Sequence, residues 1–441
     1  MAEARKYRLR CTECGETIPD FKAWFEHGQS CPECHCKQAE IEYTADYSKL
    51  PELFKGKPES FWHYFDFLPL MDRENIVSCG EGAIPLERWE FLEQFASDNG
   101  TSDCKIYVYR NDLNGGTNTF KDIAASMAAS IFKENGVKRY CIASTGNTAT
   151  AYGKYLAMAG ISAAIFMPDN AVPSSIAEIA SYGQKVYHVA GDYSDAKAVA
   201  AAYAQKYGIP TSAGNIDPIR VESKRTMVFE WLRMLGKMPD VYVQAVSGGT
   251  GPLALDKAYR ELEPHMPGLT YPRPILIQTD KCDPMVQGWE KAVKNGFPEG
   301  FEKDFPIIKN PQTMVSILGT GNPGTYPKIA RIMKQRNGNF LRVEESRLAD
   351  VARLVAFEQK THVGPASAVC IAGVMKAVMQ HEIKNGQTVL VNMGEGIKRA
   401  PWFLDMLGHH ISEVRSAEEC TVPDIDDCRT SLWDAVTASL K

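Results

Sequence analysis

The chain has no run of about 18 consecutive apolar residues, which argues against a helical membrane span. Its opening stretch, MAEARKYRLRCTEC, lacks the apolar segment of a secretory leader, so the expected location is the cytoplasm. Neither sign of charge dominates: 49 Lys and Arg face 54 Asp and Glu, a net charge of −5. Such a balance offers no basic footprint, so neither nucleic acid nor a membrane is expected as a partner. Twelve cysteines among 441 residues are too sparse for a disulfide scaffold. Two hydrolase signatures are also missing, since neither an H-E-x-x-H pair nor a G-x-S-x-G elbow occurs. What remains is an ordinary globular composition, 44% hydrophobic, with enough chain for one or two sizeable cores and a small appendage.

The appendage is marked by cysteine spacing. Cys11 and Cys14 form one C-x2-C pair, and Cys31 and Cys34 form a second after sixteen intervening residues. Two such knuckles can present four thiolates tetrahedrally, so residues 1–48 are expected to be a zinc-ribbon-like module. His35 and Cys36 leave the fourth ligand open, since either could substitute for Cys34. Four protein ligands leave no open coordination position, which makes the site one that holds the fold and does no catalysis.

From about residue 105, short apolar runs alternate with longer amphipathic stretches. KIYVYR precedes FKDIAASMAASIFKENG, RYCIAS precedes NTATAYGKYLAMAG, SAAIFMP precedes PSSIAEIASYG, and KVYHVAG precedes SDAKAVAAAYAQKYG. The rhythm resumes in VYVQAVSGGTGPLALDKAYREL, PILIQTD and TVLVNMGEG, with a Pro/Gly-rich break around 290–325. Alternation of this kind predicts an α/β fold with mostly parallel sheets covered on both faces. Residues 401–441 read as a tail with one or two short helices. In such folds the ligand sits at the carboxyl ends of the strands. There this sequence places ASTGNTAT, SGGTG and NMGEG.

Three of these features combine into one chemistry. Residues 115–126, GGTNTFKDIAAS, place a single lysine, Lys121, in an otherwise small, uncharged loop at a helix start. Half-buried there, its amine can be neutral and nucleophilic. VSGGTGPLA (246–254) opens a helix after an apolar strand, where converging N–H groups and the helix dipole suit a phosphate. It lacks the G-K-[ST] of a Walker loop, and no acidic residue stands where a dinucleotide ribose would need one. The literal G-x-G-x-x-G at 319–324 lies in loop, without a strand-to-helix context. A lysine, a phosphate nest and the Gly-Asn loop at Asn147 match pyridoxal phosphate, which needs an amine for its aldehyde, a cradle for its phosphate and a donor for its phenolic oxygen.

On these residues the chain resembles the threonine synthases and their relatives, the tryptophan-synthase-like (fold type II) pyridoxal-phosphate enzymes. CGEGAIPLER (79–88) resembles G-E-G-x-T-P-L, NGGTNTFKD (114–122) resembles N-P-T-G-S-F-K-D, and STGNTATAYG resembles S-S-G-N-T-x-x-S. QTDKCDPMVQGW (278–289), ILGTGNPGTYP (317–327) and HVGPASAVCIAG (362–373) are similar to Q-x-x-G-C-x-P, I-G-N-P and E-P-S-S-A-x-x-x-A-G. The four-cysteine ribbon resembles the one that precedes many archaeal-type members. The resemblance implies two open, mostly parallel sheet domains over 49–441, with a smaller subdomain at about 130–225 inserted in the larger one. It implies that Lys121 is the Schiff-base amine and proton shuttle, that Asn147 contacts O3′, and that Ser247, Gly248, Gly249, Thr250 and Gly251 hold the phosphate. Ser144, Thr145, Gly146, Asn147 and Thr148 would cradle the α-carboxylate of an amino-acid substrate, in a homodimer. Phe120 and Asp122 frame the lysine, Asp122 as a first-turn acid suited to the helix dipole.

The implied reaction converts O-phosphohomoserine and water to threonine and phosphate. The chain departs from the family pattern in two places. T-G-H-G-L-K becomes NMGEGIK (392–398), which puts Met393 where a hydroxyl would face the pyridine nitrogen; Asn392 or Glu395 could reach the ring instead. F-K-D-R becomes FKDI, so the arginine is replaced by Ile123. Arg220, Lys224 and Arg225 could restore the charge, although the expected reading of that segment is a solvated helix face. These departures keep open a β-replacing or eliminating enzyme of the cysteate synthase type, acting on phosphoserine and sulfite. A non-catalytic ligand sensor is the alternative of another class. Cys282 is expected to pack.

Overall fold

The computed structural model describes residues 6–407, 425–438 and 440. Three sheets organise them. The first is antiparallel, in the order β2-β1-β3, from β1 (Tyr7–Cys11), β2 (Thr17–Ile18) and β3 (Ala39–Tyr43). The largest joins β4 (Leu86–Arg88), β5 (Lys105–Tyr109), β9 (Val241–Ala245), β10 (Arg273–Thr279), β11 (Asn339–Val343) and β12 (Thr388–Asn392) in the order β11-β10-β9-β12-β5-β4. Only the short edge strand β4 runs antiparallel to its neighbour there. The third is a parallel trio of β6 (Arg139–Ala143), β7 (Ser162–Pro168) and β8 (Lys185–Val189).

Successive side chains on a strand point to opposite faces, and here both faces are buried. On β9, Val241 and Val243 join one apolar core while Tyr242 joins the other. β10 repeats the pattern, with Ile275 and Ile277 on one side and Leu276 on the other. This double burial is why the strands read as continuous apolar runs. Strand β11 and the helix Leu348–Gln359 that follows it extend the large sheet beyond the alternation read from the sequence. In the tail, helices occupy Pro401–Leu407 and Ile425–Ala438, and the expected tail residues 408–424 lie outside the described set.

The segment expected to be a solvated face is instead interior. In the helix Pro218–Leu235, Arg220, Lys224 and Arg225 are 7%, 1% and 0% exposed. Polar spacing suggests solvent; for Arg225 a carboxylate far along the chain, Glu261, adds counter-charge. Arg225 pairs with Glu222 at 3.1 Å and Glu261 at 2.7 Å, and it also donates to Tyr47 Oη at 3.2 Å. Lys257 bonds Glu222, Glu261 and the Ile41 carbonyl, while Tyr43 donates to Glu222 at 2.8 Å. The network docks β3 onto two helices of the main body. Removing one partner from such a buried set costs about 3–5 kcal/mol, because the remaining charge is stranded.

Candidate active site

Each predicted site segment leaves the carboxyl end of a strand. Lys121 follows β5, Ser144–Thr148 follow β6, Ser247–Gly251 follow β9 and Glu395 follows β12. One cavity is lined by Lys121, Ser144, Thr145, Asn147, Thr148, all five residues 247–251 and Glu395. Gly146 is not among the lining residues; it precedes the helix Asn147–Met158, with Ile317 against its α-carbon. Met393 does not line the cavity either. It is fully buried among the apolar side chains of the large sheet, where a thioether packs well.

Lys121 stands at the start of the helix Asp122–Glu134, and its backbone N–H donates to Thr119 Oγ1 at 3.1 Å. The preceding turn is tied down by Asp122, which is fully buried. Its Oδ1 accepts from Thr117 N at 2.9 Å and Thr117 Oγ1 at 2.7 Å, and its Oδ2 accepts from Thr119 N at 2.8 Å. Asp122 is thus the expected first-turn acid and also a clamp on the loop. Burial pushes its carboxyl up to about 7 against those hydrogen bonds. The Lys121 ammonium lies 4.7 Å from the centre of the Phe120 ring and makes no hydrogen bond among the described residues. Burial first, and Arg220 second, push its amine down to about 8, with Glu395 opposing.

The 247–251 turn is built around close backbone approaches. Gly249 has φ 66°, in the left-handed region, and a side chain there would strike Ile329. A Cβ on Gly248 would strike the Asn215 side chain, and one on Gly251 the Gln244 amide. Ser247 Oγ donates to Thr320 Oγ1 at 2.6 Å, and Thr325 Oγ1 donates to the Gly248 carbonyl at 2.6 Å. The N–H groups of Ser247, Gly248 and Gly249 donate to no protein acceptor among the described residues. Asn215, Gln244 and Thr320 were not anticipated; only Thr320 had a sequence signal, the G-x-G at 319–321, and that motif sits in loop.

Arg220 also lines the cavity. Its Nη2 donates to Ser212 Oγ at 2.8 Å, and its Nε is buried without a partner. Lys224 lies one turn on and donates to the Arg220 carbonyl at 2.9 Å; burial holds its amine well below the usual lysine range, with Lys121 adding to the effect. Glu395 is 1% exposed, accepts from Ala366 N at 2.8 Å through Oε1, and leaves Oε2 unpartnered. Burial pushes its carboxyl up to about 8, while the Ala366 N–H and Lys121 pull the other way. A free amine, orphan N–H groups at a helix start and an orphan carboxyl oxygen around one cavity suit a ligand with an aldehyde, a phosphate and a ring nitrogen, so the residues fit pyridoxal phosphate.

Near the N-terminus the Cys11, Cys14, Cys31 and Cys34 sulfurs all lie within 4.8 Å of one another. Cys36 turns instead to its own loop, its Sγ accepting from Gln38 N at 3.3 Å. Cys282 is buried, and its thiol is pushed up to about 12 by burial, which suits packing.

The sequence pattern of a family described as pyridoxal-phosphate dependent enzyme matches residues 77–394. The threonine synthase of Methanocaldococcus jannaschii is 28% identical over 399 residues, covering 88% of this chain and 92% of that protein. The threonine synthase of Methanosarcina acetivorans is 28% identical over 437 residues, covering 97% and 99%. Among solved structures, cysteine synthase from Entamoeba histolytica superposes with a TM-score of 0.60 at 16% identity, covering 81% of this chain and 94% of that one.

Proposed function

The chain belongs to the pyridoxal-phosphate dependent enzymes, and on that premise we propose that it is a threonine synthase-like lyase converting O-phosphohomoserine and water to threonine and phosphate. The observation that carries this reading is the enclosure of the Lys121 amine in one cavity with Asn147 and the 247–251 turn. Near full-length similarity to proteins named threonine synthase supports it. When bound, the cofactor supplies a ring that accepts electron density from the substrate's α-carbon.

Lys121 would hold the cofactor by its aldehyde carbon; when free, its amine would take the substrate's Cα proton, pass it back to the ligand, and then take a proton from Cβ. That second removal lets phosphate leave Cγ before water adds at Cβ. An amine that titrates near 8 is neutral in useful amount at working pH, as a general base requires. The N–H groups of Ser247–Gly251 hold the cofactor's phosphate, and Asn147 donates to its phenolic oxygen. Ser144–Thr148 take the substrate's α-carboxylate, with Arg220 providing positive charge for its phosphate.

A second reading has a specific observation behind it. Ile123 is fully buried in the apolar core, so position 123 contributes no charge to the site. The reading is a β-replacing enzyme that takes phosphoserine and sulfite. A non-catalytic sensor is disfavoured because a sensor has no need of the buried amine. Incubation with O-phosphohomoserine, and separately with phosphoserine plus sulfite, tests the choice by phosphate release and amino-acid product. Threonine from the first mixture supports the synthase; product from the second alone overturns it.

We also assign a structural zinc ion to Cys11, Cys14, Cys31 and Cys34, whose sulfurs form a closed tetrad. Our division of the chain is a module over 1–48 and a catalytic region over 49–441 with a smaller subdomain at about 130–225, working as a homodimer in the cytoplasm. No helix among the described residues is long and apolar enough to cross a membrane.

A further inference from the structure

Glu395 is a buried acid with one oxygen to spare. Its Oε1 accepts from Ala366 N, and its backbone is fixed by Ser367, whose Oγ accepts from Glu395 N at 3.0 Å and donates to Glu395 O at 2.7 Å. Phe120 N donates to the Gly394 carbonyl at 2.9 Å and Thr119 bridges Glu395, so this loop is held against the segment that carries Lys121. The carboxyl is held through Oε1, Oε2 is buried without a partner, and the residue lines the cavity.

Gly364 makes room for it. Its φ of −77° is open to any residue, so the backbone does not require glycine there. Space does: a Cβ at 364 would lie 2.7 Å from Glu395 Oε1 and 2.8 Å from its Cγ.

Resting on the cofactor reading above, we infer that Glu395 is the residue that contacts the ring nitrogen of the cofactor, from the space that Gly364 leaves open. The aldehyde, phosphate and phenolic oxygen of the cofactor are each assigned a partner, and the ring nitrogen is the polar atom left over. Of the three residues the sequence offered for it, Met393 is buried in apolar surroundings. Asn392 is spent on both ends, accepting from Asn111 Nδ2 at 2.6 Å and donating to Tyr242 Oη at 3.2 Å. Only Glu395 lines the cavity with a free polar atom. A carboxyl at that nitrogen shares a proton with it and strengthens its pull on electrons, and burial already favours a proton on this acid.

The test compares binding of pyridoxal phosphate with that of its analogue carrying C–H in place of the ring nitrogen. Both dissociation constants are read by absorbance on apo-protein. Wild type is expected to prefer the natural cofactor by about tenfold or more, the effect of one hydrogen bond to a charged group. Glu395→Gln is expected to shrink that preference to within about threefold. An unchanged preference in Glu395→Gln overturns the inference while leaving the cofactor reading intact. Failure of wild type to bind pyridoxal phosphate at all overturns both. If Glu395→Gln does not fold, Glu395→Met gives the same readout. Preference lost in the folded variant supports the inference, and preference unchanged overturns it.

Discussion

The backbone N–H of Phe120 donates to the carbonyl of Gly394 at 2.9 Å, which fastens the residue before the lysine to the residue before the acid. Two loops from opposite halves of the chain thereby place an amine and a carboxyl on one cavity, each titrating far from its ordinary value. Their pH behaviour follows from that placement.

The amine of Lys121 falls to about 8 from an ordinary 10.5. Between those values the unfolded chain holds a proton that the folded one lacks, so this group makes the apo-protein more stable as pH rises from about 8 to 10.5. Lys121→Met is expected to remove that rise and to raise the melting temperature at pH 7, where the charged amine is buried at a cost. Thermal melts of apo wild type and variant across pH 7 to 10.5 measure it. The rate at which apo-protein captures pyridoxal phosphate should climb as pH passes about 8.

Glu395 has the opposite sign. Its carboxyl rises from 4.5 to about 8, so the folded state holds the extra proton in that window and stability falls as pH rises through it. Glu395→Gln is expected to flatten this fall, seen as a smaller drop in melting temperature between pH 5 and 8.

How much of this was legible in the sequence depends on range. The strands and helices from Lys105 to Tyr207 could be read because each is a local pattern, and the same holds for the Lys121, Asn147 and 247–251 loops. Arg220, Lys224 and Arg225 could not be placed, because a polar helix reads as solvated until the fold surrounds it: Arg225 meets the distant Glu261 and Tyr47, Arg220 meets Ser212, and Lys224 turns to the Arg220 carbonyl. The relation of Gly364 to Glu395 is likewise invisible without coordinates, since neither residue's neighbours mention the other. Strand β11 was passed over because NFLRV is short and mixed in polarity, and its pairing with β10 is what makes it a strand.

Arg220→Met should weaken binding of a phosphorylated substrate. Loss of one hydrogen bond to a charged group, worth about 1.5–3 kcal/mol, predicts a KM raised about 10- to 100-fold. The visible absorption of the bound cofactor should persist, because Arg220 is assigned to substrate. Steady-state kinetics beside absorbance separate the two.

The cysteine tetrad should carry stoichiometric zinc, measurable by elemental analysis. Gln29 Oε1 accepts from Thr211 N at 2.8 Å, next to the Ser212 hydroxyl that receives Arg220. Cys11→Ser is therefore expected to lower the melting temperature and to raise KM more than it lowers kcat. Unchanged zinc content in this variant would remove Cys11 from the ligand set.

Lys224 is the amine that competes with Lys121 for the cofactor, buried and also near the Phe120 ring at 5.0 Å. Borohydride reduction of the protein loaded with pyridoxal phosphate, followed by peptide mass mapping, reads the attachment directly. A reduced cofactor adduct on Lys121 is the predicted result. An adduct on Lys224 or another lysine, or none on any, would contradict the account.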